Sequence, residues 1–185
     1  MAKAKTGSFY LTESVNLPAA SASGDRVQGT IDLGAYVNVA TGQAIAVESV
    51  DFIVQHDGIG RSQEFATMLQ SNGCVSFQIS DLNPGTQLLR ADDQSLIASG
   101  ALNIDVANNI GSEVADFYPD NFGPSNLSEA FMVVNDSLYL VAGNNGALVS
   151  ASTGLYITAR IKCRIVKLQQ KDWVAIAIQS TASDN

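Results

Sequence analysis

Apolar and polar residues alternate with period two along most of the chain, and the longest such run is Leu155 to Leu168. There Leu155, Ile157, Ala159, Ile161, Cys163 and Ile165 fall on one face of a strand, and Tyr156, Thr158, Arg160, Lys162, Arg164 and Val166 on the other. The pattern predicts one long, half-buried antiparallel strand, reaching about 40 Å at the usual rise per residue. Shorter segments of the same kind are Ser8–Ser14, Arg26–Leu33, Gln43–Gln55, Cys74–Ser80, Leu102–Val106, Val114–Phe117, Phe131–Val134 and Ser137–Val141. Each is rich in β-branched or aromatic residues, and turn formers such as Ser23-Gly24-Asp25, Thr41-Gly42, Asn83-Pro84-Gly85 and Asn135-Asp136 lie between them. Many strands at short spacing predict an all-β sandwich or barrel.

Three helical patches interrupt this pattern. Ser62 is placed to cap a short helix in which Phe65, Met68 and Leu69 share a face, with Asn72-Gly73 as a left-handed stop. Asp93 is placed to cap a weaker turn through Ser95, Leu96, Ile97 and Ala98. The stretch Asp172 to Ile178 fits either a helix capped by Asp172 or a strand, and a short helix packed on one end of the barrel is the preferred reading.

Composition narrows the class. Of 185 residues, 46% are apolar and 15% charged, a globular balance for one domain with a sparsely charged surface. Residues 1–7 read as a flexible N-terminal arm and residues 8–185 as a single domain. With neither a membrane-length apolar run nor the apolar core of a secretory signal, the reading is a soluble, unexported protein. Asn126 and Asn135 head glycosylation sequons, which matter only after secretion.

Charge is uneven. Residues 1–150 carry five cations and sixteen anions, while residues 151–185 carry five cations and two anions, within a net −8. Arg160, Lys162 and Arg164 at spacing two, beside the ring of Tyr156 and followed by Lys167, form a basic strand face. That face fits a solvent surface guarding against edge aggregation or a pairing with acidic groups within or between subunits. It also fits an interface with lipid head groups or another protein, and least well a nucleic-acid contact, because the acidic whole repels a polyanion. Tyr156, Arg160, Lys162, Arg164 and Lys167 are the interface candidates.

Candidate chemistry is sparse. The one histidine, His56, precedes Asp57 but has no nucleophile motif near it, so a surface or turn role is expected. Gly58–Gly60 lacks the remaining residues of a phosphate loop, and Asp92-Asp93 and Asp116 with Asp120 lack calcium-loop spacing. Cys74 and Cys163 lack metal-ligand spacing; Cys163 reads as a buried thiol, with a Cys74–Cys163 bridge left open. The expectation is no catalytic residue, no metal and no cofactor.

An all-β chain with a short basic start, Gly/Asn/Ser loops and the closing run "LYITARIKCRIVKL" then "QQKDWVAIAIQS" resembles a single jelly-roll viral capsid protein. In size and acidity it is similar to the small major capsid proteins of tailless icosahedral, internal-membrane viruses of halophilic archaea. That resemblance implies a virion subunit made in the host cytoplasm. Its implied partners are like and unlike coat subunits, with contact to an internal membrane or membrane protein and none to nucleic acid. The alternative is a carbohydrate-binding module or adhesin subunit, with Phe117, Tyr118 and Phe122 available to stack on sugar rings.

Overall fold

Among the described residues, 2–56, 65–115 and 130–181, the computed structural model has ten strands, one helix and a short 3-10 turn. The strands are β1 (Lys3–Ala4), β2 (Phe9–Leu17), β3 (Arg26–Asp32), β4 (Gln43–His56) and β5 (Gly73–Ser80). They continue as β6 (Leu96–Asp105), β7 (Ile110–Ala115), β8 (Phe131–Val133), β9 (Ser137–Asn145) and β10 (Leu155–Lys167), followed by helix α1 (Gln170–Thr181). One antiparallel sheet runs β10-β4-β8, with β1 and β2 end to end along the other edge of β10; the second runs β3-β9-β5-β6-β7. The chain crosses between the sheets at most connections, with β5, β6 and β7 following one another in the second, so β2-β10-β4-β8 faces β3-β9-β5-β6. This is the connectivity of a single jelly roll.

The alternation of β10 is realised: Leu155, Ile157, Ala159, Ile161 and Cys163 are fully buried between the sheets. They meet Leu17, Val75, Phe77, Ile79 and Leu140, and the Phe52 and Phe77 rings lie 4.6 Å apart. A second, smaller core lies outside the first sheet, where Ala44, Ala46, Val134, Val166 and Leu168 are covered by Trp173, Ile176 and Ala177 of α1. The alanines of β4 leave room for the helix, and an apolar patch on an outer sheet face needs such a cover.

Several local expectations are corrected. Leu96–Ala98 is strand, because pairing with β5 outweighs local turn preference. Asp93 holds the turn feeding that strand, its Oδ1 accepting from Ser95 N at 2.9 Å and Ser95 Oγ at 2.7 Å. Gln169, not Asp172, holds the N-cap position before α1, its carbonyl accepting from the amides of Asp172 and Trp173. Near Ser62, which lies outside the described residues, only Phe65–Thr67 forms a 3-10 turn. Gly73 opens β5 without left-handed backbone; a Cβ there would sit 2.8 Å from Asn145 O. Within the N-terminal stretch, Lys3 and Ala4 pair with Lys167 and Val166, and Lys5 N donates to Ile165 O at 2.8 Å. This pairing covers strand edge that would otherwise be open. Both thiols are free.

Candidate interaction face

On the outer side of β10, Tyr156, Thr158, Arg160, Lys162 and Arg164 project away from the sandwich, as the alternation requires. The neighbouring strand β4 does not alternate throughout. Ser49 pairs with Lys162 and Val47 with Cys163, which leaves Glu48 as the extra residue of a β-bulge. A bulge re-aims a side chain. Here it turns Glu48 toward the cations while Val47 and Val50 both stay in the core.

Glu48 is only 9% exposed and gathers three partners. Arg164 donates from Nε to Glu48 Oε1 and forms an ion pair with it; Ser8 Oγ donates to Oε2 at 2.9 Å. Lys162 Nζ stands 3.7 Å from Oε2. Two of the predicted cations thus share one carboxylate within the molecule. The same charge and its burial push the Cys163 thiol up to about 12, burial being the larger cause, so this cysteine is a poor nucleophile.

Arg160 is arranged differently. Its guanidinium lies 5.0 Å from the centroid of the Tyr10 ring, with Thr12 and Asp51 directly across on β2 and β4. Tyr10 is 51% exposed and Tyr156 37% exposed, and a 2.6 Å hydrogen bond joins Ser14 Oγ and Thr158 Oγ1 between them. Tyr156 and Arg160 therefore stand on β10, which is paired on both sides, and Tyr10 on its edge neighbour β2. Aromatic and arginine side chains of this kind are enriched where protein surfaces bind one another.

Lys167 lies apart from this patch, at the end of the sandwich. Lys3 is directly opposite it, and Lys5 Nζ donates to Gln43 Oε1 at 2.9 Å. An open groove of about 850 Å³ runs between Lys3, Lys167, Gln169 and the Val39–Gly42 turn. The predicted set is therefore split into an open part (Tyr156, Arg160), an internally paired part (Lys162, Arg164) and a separate basic end (Lys167).

His56 is corrected from a surface or turn residue to a buried one, 3% exposed at the end of β4. Its Nε2 lies 3.1 Å from Thr67 Oγ1 and its Nδ1 3.3 Å from Thr153 Oγ1. Asp92 forms an exposed ion pair with Arg90 at 3.4 Å. Among the described residues no three His, Cys, Asp or Glu gather as metal ligands, and no helix is long and apolar enough to cross a membrane. Asp57, Gly58–Gly60, Asp116, Asp120, Asn126 and the aromatic stretch Phe117, Tyr118, Phe122 lie outside the described residues.

Sequence reasoning missed Glu48 and Tyr10. The signal for Glu48 was present: Ile45 and Val47 have one parity, Val50, Phe52 and Val54 the other, and the break between them marks the bulge. Tyr10 carried no such mark, because its place beside Arg160 depends on the β2–β10 register.

No protein-family model matches the chain, and no curated protein does. Solved structures similar to it include the Human Polyomavirus 6 VP1 pentamer, at 8% identity and TM-score 0.43, covering 90% of this chain and 97% of that one. Tomato Aspermy Virus follows at 14% identity and TM-score 0.40, covering 84% and 77%, and Mud Crab Dicistrovirus at 13% and 0.38, covering 89% and 70%. These neighbours are viral capsid jelly-roll proteins. Likeness of this degree decides neither the family nor the function of the chain.

Proposed function

We propose that the chain is a structural virion protein, a capsid subunit that assembles through repeated lateral interfaces into an icosahedral shell. The observation that carries this reading is the open outer face of β2 and β10, where Arg160 packs on Tyr10 and Tyr156 stands exposed farther along the same face. Rigid aromatic and arginine anchors bind with little loss of side-chain freedom, and a closed point group repeats each such contact around the shell. The partners are further coat subunits, like and unlike, and the work is done by surfaces, with no catalytic step.

The basic end formed by Lys3, Lys5 and Lys167 is the surface suited to acidic head groups of an internal membrane or to an acidic membrane protein. A net charge of −8 and a sequence pI near 4.4 disfavour the genome as partner and favour a salt-adapted particle. On that ground we extend the proposal to tailless, internal-membrane viruses of halophilic archaea, with synthesis in the host cytoplasm.

The test is the variant Tyr10→Ala/Tyr156→Ala/Arg160→Ala, followed by circular dichroism and by sedimentation of assembled material. The expected result is a folded monomer whose assembly is reduced at least tenfold, as loss of interface anchors predicts. Wild-type assembly by the triple variant would overturn the assignment of this face.

A further inference from the structure

Beside the later residues of α1, Ile176 and Gln179, Asp81 follows β5 and is buried, only 2% exposed. Its backbone is satisfied: the amide donates to Ser95 O at 3.0 Å, and the carbonyl accepts from Asn135 Nδ2 at 3.0 Å. The carboxylate is half satisfied, with Oδ2 taking a 3.2 Å bond from Asn135 Nδ2 and Oδ1 taking none. A buried carboxylate oxygen without a donor is costly and calls for a partner.

Asp81 lines a half-open cavity of about 250 Å³, bounded among the described residues by Ala130, Phe131, Met132 and Ile176, with Gln94 and Gln179 joined by a 3.1 Å hydrogen bond. One carboxylate and two amides set among apolar walls suit a hard metal ion poorly, since calcium takes six or more oxygens. They suit an alkyl stem ending in one positive charge. The described arginines are engaged elsewhere: Arg26 on Asn145, Arg90 on Asp92, Arg160 on Tyr10 and Arg164 on Glu48. Among the described residues no lysine or arginine lines the cavity, which leaves it open to a charge from another molecule.

We propose that this cavity is a socket for the lysine or arginine side chain of a neighbouring protein subunit, whose stem lies on Phe131, Met132 and Ile176 and whose head donates to Asp81 Oδ1. Asp93 is a further carboxylate whose charge acts on Asp81. The socket deepens the coat-subunit reading by giving a neighbour a specific hold. Its test uses the isolated chain, so it can fail while that reading stands.

Nα-acetyl-arginine amide and Nα-acetyl-lysine amide are titrated at pH 8 into the full-length protein while the Asp81 carboxyl carbon and the Met132 methyl are followed by NMR. The expected result is a saturable shift of both signals, with the uncharged norleucine amide roughly tenfold weaker or worse, as loss of a charged hydrogen bond implies. In Asp81→Asn, the Met132 response to the cationic amides falls to the norleucine level. Equal binding of norleucine amide, a response to calcium alone, or no saturable response would overturn the socket. A response to putrescine without one to either amino-acid amide would replace the protein neighbour by a free amine.

Discussion

Removing Arg164 leaves the carboxylate of Glu48 buried beside one lysine at 3.7 Å, with Ser8 as its remaining hydrogen-bond donor. A buried charge stripped of its partner costs several kcal/mol, and the nearby lysine offsets part of that. Arg164→Ala is therefore expected to lower unfolding stability by about 2–3 kcal/mol, and Lys162→Ala by less than about 1 kcal/mol because its ammonium is largely solvated. Urea unfolding checks both, and adding Glu48→Gln to Arg164→Ala is expected to recover part of the loss. Asp81 is tested by pH. Burial pushes its carboxyl up to about 7, against the pull of its own backbone amide and Asn135, with Asp93 adding to the rise. Its contribution is full below the unfolded value of 3.8 and is lost as pH rises toward 7, because the buried site favours the protonated form. Asp81→Asn is thus expected to leave the melting temperature unchanged at pH 3.5 and to raise it on the order of 5 °C at pH 8. At this scale Cys163 and the outward cations were legible from period two alone. The pairing of two cations with Glu48 was not, because it depends on a bulge and on strand order.

At the scale of elements, β10 begins where the alternation begins and ends one residue before it does, since both its faces are defined by packing. Strand β6 was shortened in the sequence reading because Asp93 and Ser95 look like a helix start, whereas pairing along β5 sets its true beginning at Leu96. The helix α1 is intelligible only with β4: Ala44 and Ala46 make a shallow apolar outer face, and Trp173 and Ile176 fill it. The Val39–Gly42 turn ties this region together, with Leu168 N donating to Gly42 O at 2.8 Å. Gly42 has φ +67°, and a Cβ there would stand 2.5 Å from Leu168 O. Gly42→Ala is expected to cost about 1–3 kcal/mol, read from the shift in urea midpoint, through left-handed backbone and displacement of the β10–α1 junction.

For the whole molecule, the jelly roll follows from strand order, which no local pattern encodes, although an all-β sandwich was evident from turn spacing. The fold itself is used for many ends, so function has to be argued from surfaces. Three surfaces now have distinct chemistry: an aromatic and arginine face on β2 and β10, a lysine end at β1 and β10, and an acid-based socket beside α1. A subunit holding unlike neighbours at several points needs this kind of division. The most direct measurement is the mass of the purified protein by light scattering in low and in molar salt, with negative-stain microscopy of any large species. A coat subunit is expected to give discrete, salt-dependent oligomers or shell fragments well above the 19.4 kDa of one chain. A mass of one chain at every salt and protein concentration, with or without extracts of assembled particles, would contradict it.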